Sequence, residues 1–382
     1  LRHSDVLVVG GGVVGASIAF HLARRGATVT VLEAGDRPRG ATARSAAQVR
    51  MHHSDRHDAL LAARSLPTFE RWAEEVGGDC GFRQVGFAFL AGADRRAAVT
   101  TMAATVRGYG VATEVLGLEQ YAADQPELSL DGVGVVAYEA RGGFADPRRT
   151  TGSLLAAAVR HGARVVHGTT ALSLSLAGDR VTGVHTATGR HSAGQVVVAS
   201  GTRSAPLCRS AGARLPVRAR RIGYAVTGGP AAVPHVLIDD TIAMYARPVP
   251  AGGVWFGVPL DQPDPAAQPA AGRPEPASVA AARHRLTRRI PALAGVPVVR
   301  AAAALEAYTE DRHALIGPAG EPASLYLCTA FSGGGFKVAP AVGGAVAEEL
   351  VTGEPRPELE PYRPDRFGRG APIRPDVDYR CM

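Results

Sequence analysis

The sequence predicts an α/β fold: a Rossmann-like nucleotide-binding unit interleaved with a smaller α+β unit built on a mainly antiparallel sheet. Three observations point there. A glycine-rich turn sits between an apolar run and a helix at the N-terminus. The helix–strand alternation breaks from Gly81 onward into runs of period two. A second glycine cluster, AFSGGGFKVAP (Ala330–Pro340), lies near the C-terminus.

The N-terminal element comes first. DVLVVG (Asp5–Gly10) is a short apolar run of the kind found in buried parallel strands. Ala16–Arg25 reads as a helix, with Gly26 placed to end it in a left-handed cap. ATVTVL (Ala27–Leu32) is the next strand, closed by Glu33 and Ala34. The loop between them, Gly10, Gly11, Gly12, Val13, Val14, Gly15, is the dinucleotide fingerprint in context. Gly10 permits the tight turn, Gly12 lets backbone approach a pyrophosphate, and Gly15 lets the helix pack closely on the strand. Unpaired N–H groups at the helix start carry partial positive charge for phosphates. Glu33 follows Gly12 by about 20 residues, where an acid accepts from ribose hydroxyls and repels a 2′-phosphate. FAD and NAD both remain open at this point.

The middle of the chain reads as strands over Gly81–Leu90 and Gly134–Tyr138, then a helix over Arg149–His161 opened by Asp146 and Pro147. A hairpin follows over Ala171–Leu176 and Arg180–Thr186. Gln195–Gly201 is a buried strand ending in small residues, which suits a ligand at the sheet's switch point. Residues 216–259 return to alternating strands, including Met244–Arg247 and Gly253–Gly257. Pro263–Pro276 is a solvent-exposed Pro/Ala-rich loop, and Val279–Ile290 an amphipathic helix capped by Ser278. Leu325–Thr329 is the last strand, Val342–Val351 the last helix, and a Pro/Arg-rich tail ends the chain. No internal repeat is present. The expected division is residues 1–80, 146–214 and 301–382 for the cofactor unit, and 81–145 and 215–300 for the substrate unit.

Composition narrows the function. The chain has 382 residues, and a prior of roughly 150 residues per domain suggests two or three units. A net charge of +7, with Arg and Asp/Glu alternating and no basic block, argues against nucleic acid and mildly favours anionic ligands. Cys80, Cys208, Cys328 and Cys381 form no CxxC pair and no zinc spacing, so reduced thiols in a cytoplasmic protein are expected. No run is long enough for a membrane span. The apolar stretch Asp5–Gly15 leads directly into a βαβ pattern and is not expected to be a signal peptide. His52, His53 and His57 follow no metal pattern and read as solvated surface; no metal site is expected.

Several further motifs carry a family resemblance: GATARSAAQVR (Gly40–Arg50), GFADP (Gly143–Pro147), VVASG (Val197–Gly201), YTED (Tyr308–Asp311) with Ile316–Gly317, and FSGGGFKVAP (Phe331–Pro340). In this order and spacing the chain resembles the D-amino-acid oxidase superfamily of FAD enzymes, and within it the sarcosine oxidase and glycine oxidase branch. The resemblance spans nearly the whole chain. It implies a glutathione-reductase-type FAD domain with the isoalloxazine at the interface with the sheet unit. It also implies oxidation of an amino-acid C–N bond to an imine by hydride transfer to flavin N5. Reoxidation would use O2, giving H2O2, or another acceptor.

The resemblance assigns residues. Arg50 and Lys337 match the cations that hold the substrate carboxylate, and two such cations orient it over the cofactor. Arg44 and Ser45 fall where the family contacts the FAD pyrophosphate. Ala171, Ser200 and Gly201 join the cofactor contacts. Gly333, Gly334 and Gly335, with Phe336 and Lys337, would lie against the flavin's pyrimidine end, ahead of a helix beginning near Ala339. Tyr308 matches an active-site tyrosine, and Tyr245 and Tyr224 are candidates for the same aromatic wall. Two positions depart from the pattern. Glu306 stands where sarcosine oxidases carry the cysteine bonded to flavin, which implies noncovalent FAD; its carboxylate either meets the substrate or turns to a surface salt bridge. Trp255 stands near the lysine that activates oxygen in sarcosine oxidases, and reads as core packing.

Overall fold

In the computed structural model, residues 3–37, 40–230, 233–260 and 272–379 are described. Most of the expected Pro263–Pro276 loop, and Cys381, lie outside them. The other three cysteines are buried and free. Among the described residues no helix is long and apolar enough to cross a membrane.

The architecture is α/β with two large sheets. The first has the order Leu315–Pro318, Leu325–Thr329, Gly189–Val198, Ser4–Val9, Val29–Leu32, Arg164–Val166. Four of the five pairings along this order are parallel, and Leu315–Pro318 is the antiparallel edge. The hairpin Ser173–Ala177 and Arg180–Thr186 pairs with the first half of Gly189–Val198. Strand Ser4–Val9 is buried on both faces, as its unbroken apolar run requires. Helices Val13–Arg24 and Gly335–Thr352 pack against each other over one face of this sheet.

The second sheet runs Val298–Tyr308, Arg218–Thr227, Val254–Val258, Met244–Pro248, Val236–Asp239, Phe87–Ala91, Val135–Glu139, Glu114–Leu116. All its pairings are antiparallel except Val236–Asp239 with Phe87–Ala91. Val298–Tyr308 pairs along its length with Arg218–Thr227, so residues 301–308 belong by pairing to this sheet.

Three local expectations shift. Gly81–Leu90 is strand only over Phe87–Ala91, because Gly81 and Gly86 sit at φ +66° and +83° and break the extended run. The helix expected at Val279 is Pro276–Arg289; Glu275, not Ser278, precedes it, with proline in its first turn. The last helix starts at Gly335, well before Val342 or Ala339. Pro340 removes one N–H there, and the buried residues Phe336, Val338, Ala339 and Val342 outweigh that loss.

Candidate active site

At the C-terminal end of strand Ser4–Val9 the chain turns at Gly10, φ +107°, where a Cβ would stand 2.6 Å from the Ala199 carbonyl oxygen. Gly12 begins helix Val13–Arg24, and no side chain caps that N-terminus through its own residue. Thr42 Oγ1 accepts from Val13 N–H at 3.3 Å. Gly15 lies behind the loop, its Cα pressed to the Gly10 carbonyl, 2.0 Å from where a Cβ would be. Gly10, Gly12, Val13 and Val14 line a cavity of about 490 Å³ with Glu33, Ala34, Ala171, Ser200 and Gly201. Glu33 is fixed at its edge: Oε2 accepts from Gly11 N–H at 2.8 Å and Oε1 from Gly35 N–H at 3.0 Å. A carboxylate offers about four acceptor positions, so Glu33 retains capacity for hydroxyl donors. Bare backbone, a helix N-terminus and an oriented acid fit the pyrophosphate and ribose of FAD.

A second cavity, about 880 Å³, adjoins the first. Arg50, Lys337, Glu306, Tyr308 and Tyr245 all line it. Arg50 follows the short strand Gln48–Val49; it is buried, donates from Nη1 to the His52 carbonyl and stands 5.7 Å from the Phe87 ring centroid. Lys337 occupies the first turn of helix Gly335–Thr352, not the loop before it, and its Nζ reaches the Gly334 carbonyl at 3.5 Å. Arg44 lies in a 3-10 turn and lines this second cavity, while Ser45 lines both and accepts from Ala47 N–H at 2.9 Å. Gly334 faces the second cavity, Gly335 the first, and Gly333 and Phe336 both.

Strand Val298–Tyr308 carries Glu306 and Tyr308 inward. Tyr308 OH donates to Glu306 Oε2 at 3.3 Å, so Glu306 is not turned out to a surface salt bridge. Arg220, opposite Glu306 in the strand register, lies 5.3 Å over the Tyr308 ring. Trp255 is not packing alone. It lines the cavity, stacked on Tyr224 at 5.2 Å and 16° and tilted against Tyr245 at 5.7 Å.

The histidines correct the sequence reading. His52 and His53 are buried, not solvated; only His57 is half-buried. The His52 ring stacks on Phe89 at 4.7 Å, and its Nε2 hydrogen-bonds Tyr379 OH at 3.1 Å. His53 lines the cavity. Burial, then Arg50, hold both rings neutral, with His52 pushed down to about 3.

Sequence reasoning missed a network behind Lys337. Asp55 Oδ1 caps helix Arg56–Glu70 by accepting from His57 and Asp58 N–H, each at 2.9 Å. Its Oδ2 meets His313 Nε2 at 2.9 Å. Asp58 accepts from Tyr362 OH at 2.7 Å and stands 4.0 Å from His313. The one legible signal was the acid-x-x-acid pattern of an N-cap. Asp55, Asp58 and His313 are the only grouping among the described residues with metal-type donors this close, and their short contacts are those of an ion pair and a cap. The C-terminal tail covers the network: Ile373 N–H donates to Asp311, Val377 N–H to the Ser54 carbonyl, and Arg366 pairs with Asp311 at 2.7 Å, both buried.

Burial and crowding set the charges. Desolvation, reinforced by Arg50, lowers Lys337 to about 7, against the pull of Asp58 and Glu306. Desolvation raises Glu306 to about 6, and raises Asp58, beside Asp55, also to about 6. His313 is depressed by burial, but Asp55 and Asp58 overcome that and lift it to about 9.

A Rossmann-like nucleotide cavity opening into a second cavity beneath an antiparallel sheet defines a dinucleotide-binding α/β protein with a ligand-sized pocket beside its nucleotide site. The chain belongs to the DAO family of FAD-dependent oxidoreductases, whose family model matches residues 5–349. FAD is therefore its cofactor, and the residues present fit it.

Curated relatives include 4-methylaminobutanoate oxidase (formaldehyde-forming) of Paenarthrobacter nicotinovorans, 28% identical over 92% of this chain and 44% of that protein. Sarcosine oxidase subunit beta of an Arthrobacter species is 27% identical over 96% of this chain and 91% of that protein. The chain spans less than half the length of the first of these. Among solved structures, L-proline dehydrogenase from P. horikoshii superposes with a TM-score of 0.90 at 27% identity, covering 97% of this chain and all of that one.

Proposed function

We propose that this chain oxidises the C–N bond of a small anionic amino acid, N-substituted or cyclic, to an imine that water then hydrolyses. The observation that carries this reading is the pair of buried cations, Arg50 and Lys337, in a cavity continuous with the FAD cavity. When bound, FAD supplies a two-electron acceptor for the α-hydrogen as hydride at N5 and hands the electrons to O2, giving H2O2, or to another acceptor. The protein's own work is orientation: Arg50 and Lys337 hold the carboxylate, Tyr308 and Tyr245 wall the amine side, and the buried setting excludes water. Residues 1–80, 146–214 and 309–382 build the cofactor unit, and 81–145 and 215–308 the sheet unit on the substrate side. Glu306 offers no thiol, so FAD is held noncovalently at this position. The carboxylate-bearing amines named for the relatives, sarcosine, proline and 4-methylaminobutanoate, support this substrate class.

Trp255 favours a second reading of the oxidative half: an acceptor other than oxygen, because Trp255 stacked on Tyr224 lines the cavity on the strand where the resemblance implies an oxygen-activating lysine. One experiment tests both. The flavin is titrated anaerobically with a panel of amino acids, N-alkyl amino acids and 2-hydroxy acids, and air is then admitted. Bleaching by amines with fast recovery supports an oxidase, and slow recovery supports another acceptor. Bleaching by 2-hydroxy acids alone overturns the amine assignment. No bleaching across the panel points to a flavin-bound subunit without catalysis.

A further inference from the structure

The two cavities share six lining residues: Ala41, Ser45, Glu306, Phe331, Gly333 and Phe336. Glu306 is the only ionisable one among them. With substrate entering from one side and FAD filling the other, the reacting C–N bond lies at this junction. A carboxylate placed there faces the nitrogen end of an amino acid whose carboxylate is held by Arg50 and Lys337. We infer that Glu306 is the proton acceptor for the substrate's ammonium group, a role that rests on the function proposed above and makes the site specific for zwitterionic amines over amine-free acids.

The step is a proton transfer. An N–H bond of the ammonium breaks, an O–H bond forms on a Glu306 carboxylate oxygen, and the lone pair stays on nitrogen. Zwitterion plus carboxylate becomes neutral amine plus carboxylic acid, with no change of oxidation state. The freed lone pair is what permits the α-hydrogen to leave afterwards as hydride, with FAD as the oxidant.

Other proton acceptors line the substrate cavity, among them His53, Asp58, Glu310, Asp311, His313 and Asp378, and none of these lines the FAD cavity. His53 has a buried Nε2 with no hydrogen bond, but Arg50 and Lys337 both repel a proton there. Asp58 lines only the substrate cavity, and its carboxyl already holds Tyr362 OH at 2.7 Å. The side-chain donor on Glu306, Tyr308 OH at 3.3 Å, is long for an O–H donor and yields to an ammonium. The groups facing Glu306 are Lys337 from the helix, Tyr308 on its own strand and Arg220 from the neighbouring one, with Gly333 N–H beneath it. Arg50 and Asp58 bear in turn on Lys337. Glu306 titrates near 6, so it is ionised and able to accept at neutral pH.

The test uses the flavin-loaded protein and Glu306→Gln. The first readout is binding, followed by flavin absorbance, of 2-aminoisobutyrate, which has no α-hydrogen to lose, against isobutyrate, which has no amine. At pH 7 the wild type should prefer the amine at least tenfold, and Glu306→Gln should bring the two within about twofold. A variant that comes out without flavin is read by tryptophan fluorescence, with Trp255 in the cavity, against wild type stripped of flavin. A wild type that binds isobutyrate without preferring the amine overturns the role of Glu306 and leaves the Arg50–Lys337 clamp standing. Binding of neither ligand overturns both. The second readout is the anaerobic bleaching rate against pH, with whichever amino acid the panel identifies. The wild-type rate should fall below about pH 6. In Glu306→Gln it should be about 100-fold lower at pH 7 and rise tenfold per pH unit toward the amine's own pKa. An unchanged profile in Glu306→Gln, or the same signature arising in His53→Asn instead, overturns the assignment.

Discussion

His313 Nε2 and Asp55 Oδ2 stand 2.9 Å apart, with both side chains buried, so the cap of helix Arg56–Glu70 is also one half of an ion pair. His313 is raised to about 9, above its unfolded value of about 6.5. A raised folded value means the stabilisation is fully present below pH 6.5 and is lost as pH rises through 9. Replacing His313 by Gln should therefore cost on the order of 2 kcal/mol at pH 6 and little at pH 10. Urea unfolding of both proteins at the two pH values checks this; an equal loss at both would refute the pairing.

Lys337 gives the complementary sign. Lowered to about 7, it is charged below that value and neutral above it. Affinity for an amine-free carboxylate should fall progressively from pH 7 to 9. Lys337→Met should weaken that affinity about 100-fold at pH 6 and flatten the dependence, since one partner of a buried charge pair is gone. Flavin content should stay near that of the wild type. Loss of flavin with ligand affinity intact would place Lys337 with the cofactor instead.

Trp255 bears on oxygen. Trp255→Lys sets a cation in the substrate cavity, where it stabilises the negative charge that oxygen acquires on reduction. Flavin reoxidation in air should quicken at least tenfold. Stopped-flow absorbance of the photoreduced proteins measures it, and an unchanged rate would show that the position does not govern the acceptor.

Glu306 in place of a thiol predicts that acid precipitation releases all the flavin to the supernatant. Flavin retained in the pellet means a covalent link at another residue.

The fingerprint was legible because its parts are local: an apolar run, three spaced glycines and an acid, all within Asp5–Glu33. Arg50 and Lys337 emerged only through the family pattern, since nothing around either residue alone shows that they line one cavity. The burial of His52 could not be read locally. Its cover is Phe89 on a strand of the other sheet and Tyr379 in the tail, distant in sequence. The Asp55–His313–Asp58 cluster escaped for the same reason: its members meet only when the loop before the final strands folds against helix Arg56–Glu70. The junction position of Glu306 needs both cavities at once, and no spacing encodes that.

The two glycine loops at Gly10 and Gly333 wall one cavity although about 320 residues separate them. On the ribosome the first loop emerges well before strand Leu325–Thr329 and helix Gly335–Thr352. Until that helix is made, the nascent chain carries half a nucleotide cleft, without the partner that packs on Val13–Arg24. Tight flavin capture waits on that helix, and a chain cut short before Gly335 loses the closing wall of the cleft and Lys337 together.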